Sequence, residues 1–171
     1  MTLQIIKYGN YILRKECVNI TLDYPDLPYI IDNMWITMFF NKGAGLAAPQ
    51  VNLSIRLFIV DSLKKVFINP TIINESEETC SMIEGCLSIP GIKESVIRPV
   101  SIEMEYFDED FIKHTEVFTG DDARVIQHEY DHIEGILFID YLSPLKKKLI
   151  QGKLTSIKNT KSKLTNGTIN K

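Results

Sequence analysis

The chain has 171 residues, and its 44% of hydrophobic and 24% of charged residues match an ordinary globular protein of one domain. No apolar run approaches the roughly 18 residues of a membrane span, and the first residues lack the pattern of a secretory signal. We therefore expect a cytoplasmic protein with no membrane partner. Three is an odd number of cysteines, which argues against a disulfide framework and favours free thiols at Cys17, Cys80 and Cys86.

The net charge of −3 is unevenly distributed along the chain. Residues 1–141 contain 11 lysines and arginines against 22 acidic residues, whereas residues 142–171 contain eight lysines and no acid. Two interpretations of this basic end stay open. It is either a solvated, partly frayed tail or a basic arm that touches nucleic acid or an acidic surface.

The first predicted helix spans residues 26–41, because its apolar residues recur at steps of three and four, and Gly43 follows as a stop signal. Strands are predicted next, over residues 56–60 and 66–73, which are rich in Ile, Val and Phe. Residues 100–106 alternate strictly between apolar and polar, which predicts a strand with one buried face and one solvated face.

A second helix is predicted over residues 121–134, with Asp121 or Asp122 as its cap and Gly135 at its end. Its inward stripe consists of Ile126, Tyr130 and Ile133. A third helix is predicted from Ser143, a good N-cap followed by proline, to about Ile157. Strands that precede a central helix without regular alternation of the two indicate an α+β fold.

The second helix contains the pattern H-E-x-x-H at His128, Glu129 and His132. Residues four apart lie on one helix face, so both imidazoles can reach one metal ion. Glu129 lies about 100° around the helix axis from His128. This position suits a general base that acts on water activated by the metal. A catalytic metal needs a third protein ligand. In one large protease class that ligand comes downstream, but here the position is Phe138, which cannot ligate.

Two upstream segments are ambiguous by themselves. Cys86 lies between a glycine and a short apolar run, and it is either a small core residue or the third ligand. Residues 43–50, rich in small side chains, are either a plain turn or a loop that approaches a ligand closely. They are not a phosphate loop, because no Lys-Ser or Lys-Thr pair follows. His114, alone in an alternating stretch, is interpreted as a surface residue.

Together these segments carry a family pattern: GAGLAAPQ at 43–50, EGCLS at 84–88 and HEYDH at 128–132. The chain closely resembles the peptide deformylase family, which shows G-x-G-L-A-A-x-Q, E-G-C-L-S and H-E-x-D-H in this order. The resemblance extends through IDYLSPLK at 139–146 and covers about residues 3–150. It implies a compact α+β domain with the HEYDH helix inside β-sheets. It also implies removal of the formyl group from N-formylmethionyl nascent peptides, with release of formate.

The resemblance also implies a role for each site residue. Cys86, His128 and His132 are the implied metal ligands and Glu129 the base, while the Gln50 amide and the Leu87 backbone N–H stabilise the charged formyl oxygen. The implied metal is Fe(II), with Zn(II) and Ni(II) also accommodated. The substrate backbone pairs with Ala44, Gly45 and Gly85, and Val125 lines the methionine pocket. Two departures, Ala44 in place of a larger residue and Arg124 at an often apolar position, leave peptide preference open.

We divide the chain accordingly into a catalytic domain, residues 1–150, and a basic tail, residues 151–171, that is partly helical or frayed. Relatives use a basic C-terminal element to reach the ribosome, so the tail is a candidate for that contact, and no sequence-specific nucleic-acid binding is expected. Three rival functions are weighed. They are a zinc peptidase, a structural metal module with Cys80 as fourth ligand, and a thiol hydrolase with Cys86 as nucleophile.

Overall fold

The computed structural model describes residues 1–165, as three α-helices and seven β-strands. The α+β class predicted from the sequence is confirmed. The helices are α1 (Leu27–Phe40), α2 (Gly120–Ile133) and α3 (Pro144–Thr165). The strands are β1 (Gly45–Ala47), β2 (Leu57–Val60), β3 (Lys65–Glu75), β4 (Thr79–Cys86), β5 (Ile89–Pro99), β6 (Ser101–Phe107) and β7 (Lys113–Thr119).

All strand pairings between these elements are antiparallel. A five-stranded sheet has the order β1-β2-β3-β6-β7, and β4 and β5 form a separate hairpin. Since β1 pairs only with β2, and β4 only with β5, each leaves one edge unpaired within residues 1–165. The sequence predicted β2, β3 and β6 close to their observed positions. On β6 the inward residues Ile102, Met104 and Tyr106 are buried, which confirms the predicted alternation.

Helix α2 is the centre of the fold, because it packs against the five-stranded sheet through β1, β2, β6 and β7. Ile126 and Ile133 of the predicted stripe are fully buried, and Tyr130 is half-buried. The helix ends in a Schellman motif, in which the amide of Ile136 donates to the carbonyl of Asp131 at 2.8 Å. Gly135 supplies the left-handed residue of that motif, with φ of +74°, as its predicted role as terminator requires.

Two helix ends differ from prediction. Neither Asp121 nor Asp122 caps α2, because the helix begins earlier, at Gly120. Both acids lie within its first turn, where their negative charge interacts favourably with the positive end of the helix dipole. At the end of α1 the left-handed residue is Lys42, with φ of +56°, rather than Gly43. Gly43 instead provides the amide that returns to the carbonyl of Met38 at 3.0 Å.

Helix α3 begins as predicted, since the amide of Lys146 donates to Oγ of Ser143 at 3.4 Å. It continues past the predicted end near Ile157 to Thr165. Ile150 and Leu154 of this helix are buried in the core next to β5. The last part of the predicted tail, residues 166–171, lies outside the described residues. Within residues 1–165 no helix is long and apolar enough to cross a bilayer.

Candidate metal centre and catalytic site

A cavity of about 430 Å³ opens between the loop before β1, the β4–β5 hairpin and helix α2. The three sequence segments that predicted a site therefore meet in space, although about 80 residues separate the first from the last. The structure places nine of the ten predicted site residues on the wall of this cavity: Ala44, Gly45, Gln50, Gly85, Cys86, Leu87, Val125, His128 and Glu129. The tenth, His132, lies beside Cys86.

Cys86, His128 and His132 form the one group in the described chain that could hold a metal ion. One ligand atom from each lies within 4.8 Å of the other two, and Sγ of Cys86 is 3.2 Å from Nε2 of His132. Burial opposes ionisation of Cys86, yet the adjacent histidines lower the pKa of its thiol well below the ordinary value. A thiolate with two imidazoles is a donor set that binds divalent metals such as zinc and iron, so these residues fit a divalent ion.

Glu84 orients the first histidine ligand. Its Oε2 lies 2.9 Å from Nδ1 of His128, which leaves Nε2 of that ring for the metal. Glu84 is buried and also accepts hydrogen bonds from Nε and Nη2 of Arg98, at 2.6 and 3.0 Å. Although burial raises the pKa of Glu84, the hydrogen bonds from His128 and Arg98 outweigh this effect and hold the pKa well below its usual range.

The same network extends to a second buried acid on α2. Nη1 of Arg98 donates to Oδ2 of Asp131 at 2.7 Å, and the hydroxyl of Tyr141 donates to Oδ1 at 3.0 Å. The guanidinium of Arg98 also lies over the Tyr141 ring, 4.7 Å from its centroid. Arg98 thus ties the β4–β5 hairpin to α2. No local pattern in the sequence indicates this link, because its members lie on separate elements.

The hydrogen bonds of Arg124 explain why a charged residue occupies this often apolar position. Its Nη1 donates to Oε1 of Glu84 at 2.9 Å and to the carbonyl of Val96 at 3.0 Å, and its Nη2 donates to the carbonyl of Cys80 at 2.7 Å. The side chain is buried and lines the cavity. Arg124 is therefore part of the support of the metal centre rather than a free cation in the pocket.

Glu129 is the buried carboxylate next to the metal ligands. It is 4% exposed, and its Oε2 has no hydrogen-bond partner within the described chain. Burial raises the pKa of Glu129 to about 7, which suits a group that gains and loses a proton near neutrality. Gly45 makes room for it, because a Cβ at that position would lie only 2.7 Å from Cγ and Oε1 of Glu129.

Gln50 has a fixed amide orientation. Its Oε1 accepts a hydrogen bond from the amide of Ala47 at 2.8 Å, so Nε2 points the other way, 3.4 Å from both Sγ of Cys86 and Oγ of Ser88. The donor end of the side chain therefore lies beside the ligand sulfur, on the cavity wall. Leu87, which follows that sulfur in sequence, lines the same wall.

The remaining candidates lie outside the metal group. Phe138 is buried, with its ring centroid 6.1 Å from that of His128, and it packs against the ligand as a core residue. Cys80 contacts Nη2 of Arg124 at 3.2 Å and does not join the three ligands. His114 lies on β7, half-buried rather than fully exposed, with Nε2 2.6 Å from Oδ2 of Asp108.

Known proteins match this chain over almost its whole length. A family model described as "Polypeptide deformylase" matches residues 2–148. A peptide deformylase of Christiangramia forsetii is 50% identical, in an alignment that covers 94% of this chain and 92% of the relative. A solved peptide deformylase of Plasmodium falciparum, in complex with an inhibitor, is 38% identical with a TM-score of 0.84, and covers 90% of this chain and 97% of its own. Peptide deformylase 1B of Arabidopsis thaliana, also solved with an inhibitor, is 31% identical with a TM-score of 0.88, over 96% and 94% of the two chains.

Proposed function

The chain belongs to the peptide deformylase family, and from that membership and its site we infer a metal-dependent hydrolase that removes the formyl group from N-formylmethionyl nascent peptides. One observation supports this function at the level of individual residues. A cluster of three potential ligands adjoins the buried carboxylate of Glu129, whose Oε2 has no hydrogen-bond partner within residues 1–165. Cys86 and His128 of the cluster line one cavity together with Glu129. A structural metal site needs four protein ligands, and the described chain brings only three together.

We assign Cys86, His128 and His132 as the protein ligands of one divalent ion, and Fe(II) as the ion in the cell. The support is the mixed donor set of thiolate and imidazole, which accepts iron, zinc and nickel, together with the family pattern in the sequence. When bound, the ion supplies Lewis acidity, which polarises the formyl carbonyl and makes water easier to deprotonate. Glu84 keeps the His128 ring in the orientation that this ligand role requires.

Glu129 is assigned as the general base and acid. Its carboxylate accepts a proton from the water that attacks the formyl carbon, and it then returns that proton to the leaving amine of methionine. A pKa raised to about 7 by burial allows both transfers near neutral pH. The absence of a hydrogen-bond partner for Oε2 within residues 1–165 leaves that oxygen available for the proton.

Gln50 and Leu87 are assigned as donors to the formyl oxygen, on which negative charge develops during attack. The hydrogen bond from Ala47 to Oε1 of Gln50 presents the amide Nε2 to the cavity, and the main chain of Leu87 borders the same space. Fixed donors of this kind are worth roughly 3–4 kcal/mol each in the transition state. Both lie beside Cys86, so a formyl group placed there meets donors and base together.

The substrate backbone is assigned to the gap between β1 and β4. Both strands have an unpaired edge within the described chain, so a peptide in extended conformation can pair with Ala44 and Gly45 on one side and Gly85 on the other. Val125 lines the cavity on the α2 side and is assigned to the pocket for the methionine side chain. Ala44 is exposed, so the smaller residue widens the mouth of this gap.

The test is formate release from a formyl-Met-Ala-Ser peptide by the full chain, purified without oxygen and loaded separately with Fe(II), Zn(II) and Ni(II). We expect hydrolysis of this peptide by each loaded form, with Fe(II) the most active, and no cleavage of unformylated Met-Ala-Ser. Comparable cleavage of internal bonds in unformylated peptides would identify a peptidase instead. Activity that survives complete removal of metal would identify Cys86 as a nucleophile.

We further propose that the protein acts in the cytoplasm and that the basic C-terminal region, residues 142–171, contacts the ribosome. The support is the run of lysines without acids after residue 142 and the presence of three free thiols. Deleting this region would remove Ile150 and Leu154 from the core. The sharper test therefore replaces Lys158, Lys161, Lys163 and Lys171 by glutamine. We expect co-sedimentation with ribosomes at low salt to fall, and unchanged co-sedimentation would contradict the contact.

A further inference from the structure

The N-terminal segment, residues 6–8, runs along the back of the wall that carries Gln50. The amide of Ile6 donates to the carbonyl of Gln50 at 2.8 Å, and the amide of Tyr8 donates to the carbonyl of Ser88 at 2.9 Å. One short segment thus holds two parts of the wall that are 38 residues apart in sequence. Both parts belong to the region to which we assign the donors for the formyl oxygen.

Leu87 and Ser88 form the tip of the β4–β5 hairpin, because Cys86 pairs with Ile89 across it. The ladder register also shifts between Gly85 and Cys86, so regular strand pairing stops just before this tip. Ser88 is fully buried and the Leu87 side chain packs against the core, but no strand pairing fixes the backbone of these two residues. A backbone N–H that must meet a developing charge at a defined distance therefore gains from a further restraint on the Leu87 main chain.

Lys7 supplies such a restraint from outside the cavity. Its Nζ donates to the carbonyl oxygen of Leu87 at 2.7 Å. Lys7 is half-buried and is not one of the residues that line the cavity. Among the described residues its amine has this one hydrogen-bond partner and no ion-pair partner.

The carbonyl that Lys7 holds belongs to the peptide plane after the Leu87 Cα, and the N–H assigned to the substrate belongs to the plane before it. Peptide planes are rigid, so only two torsions of Leu87 separate these groups. Tyr8 fixes the next carbonyl, that of Ser88. With the following planes held by Lys7 and Tyr8, and Cys86 held by its pairing with Ile89, little freedom remains for the Leu87 N–H.

We propose that Lys7 is a positioning residue for hydrolysis, one that holds the Leu87 backbone so that its N–H points at the formyl oxygen. The proposal rests on the proposed function, and in particular on the donor role of Leu87. It predicts an effect on the transition state rather than on substrate binding, because charge on that oxygen develops only during attack. An ammonium donor suits this task, since its hydrogen bond to a carbonyl is stronger than a neutral one.

The test compares Lys7→Met, which keeps the length of the side chain but removes the donor, with Lys7→Arg, which keeps a charged donor. Lys147→Met is the matched control, because Nζ of Lys147 also donates to a backbone carbonyl, that of Asp140 at 2.8 Å, and neither residue lines the cavity. Each variant is assayed for kcat and KM on formyl-Met-Ala-Ser, with metal content measured in the same preparation.

We expect Lys7→Met to lower kcat about tenfold, less than outright loss of a donor, with KM changed by less than about twofold. Lys7→Arg should recover most of kcat, and Lys147→Met should match the wild type. A second readout needs no turnover: in the Zn(II)-loaded, ¹⁵N-labelled protein, the order parameter of the Leu87 N–H should fall in Lys7→Met below the value of about 0.85 that is typical of a rigid backbone.

Wild-type kcat in a fully metallated Lys7→Met enzyme would overturn the proposal. So would equal losses in Lys7→Met and Lys7→Arg, which would indicate a purely structural lysine. A wild-type protein that releases no formate would count against the proposed function alone, because the order parameter of the Leu87 N–H still reports whether Lys7 restrains that backbone.

Discussion

Glu84 and His128 are 44 residues apart in sequence, yet Oε2 of Glu84 lies 2.9 Å from Nδ1 of the ligand histidine. The carboxylate is 6% exposed and is also held by two arginines, Arg98 and Arg124. A single anion on β4 therefore fixes a metal ligand on α2 and balances two buried cations. The geometry of the metal centre depends on the hairpin as much as on the helix that carries the histidines.

We predict that Glu84→Gln weakens metal binding about 10- to 100-fold and lowers the free energy of unfolding by about 3–5 kcal/mol, because buried Arg124 loses its carboxylate partner and buried Arg98 keeps only Asp131. Metal affinity is measured by competition with a chelator, and stability by urea unfolding. Glu94→Gln is the matched control. Glu94 pairs across the hairpin from Glu84 but forms only a surface ion pair with Lys146, so its loss should cost less than about 1 kcal/mol. Equal effects of both changes would contradict the role of Glu84.

Glu129→Gln should separate chemistry from metal binding. We expect full metal content and a loss of turnover of at least about 10²–10⁴-fold, since glutamine has nearly the same shape but cannot accept the proton. Stability in urea should stay unchanged or rise, because the substitution removes a buried carboxylate whose Oε2 lacks a hydrogen-bond partner within the described chain. A variant that hydrolyses the formyl peptide at the wild-type rate would refute the assignment of Glu129 as the base.

Gly45→Ala tests whether the loop leaves space for the base. A Cβ there would lie 2.7 Å from Oε1 of Glu129, so the carboxylate must move, and we expect turnover to fall by about 10²-fold. Gly152→Ala is the control, since a Cβ at Gly152 meets nothing within 4 Å. It should keep full activity and gain up to about 1 kcal/mol of stability from helix propensity. Wild-type kcat in Gly45→Ala would show that the loop tolerates the methyl group.

Much of the fold could be predicted because its elements carry strong local signals. The alternation on β6, the terminator Gly135 and the cap Ser143 all follow from short-range rules and are found in the structure. Strand β4 was not predicted as such, because it alternates weakly and exposes 73% of Ile83, a residue that local patterns place inside. Its conformation depends on pairing with β5 rather than on its own sequence.

The residues of the site also divide into those that could be predicted from the sequence and those that could not. Motif spacing on one helix predicted His128 and His132 as ligands, and the family pattern predicted Cys86 as the third, and the structure brings these three residues together. The support around the ligands was missed. Arg98 contacts Asp131 from a position 33 residues earlier in the chain, and Lys7 reaches Leu87 across 80 residues. Such pairs follow from tertiary packing, and no local spacing encodes them.

Metal removal should destabilise the fold through the three assigned ligands. A ligand that binds only the folded chain adds stability by mass action, so a chelator should lower the urea midpoint of the wild type. Cys86→Ala should bind metal weakly and show little further response to the chelator. Cys80→Ser serves as the control, because Cys80 lies outside the metal group of the described chain. It should respond to the chelator as the wild type does. If Cys86→Ala lost as much stability on chelation as the wild type, the sulfur of Cys86 would not be a ligand, and the metal would have to bind elsewhere.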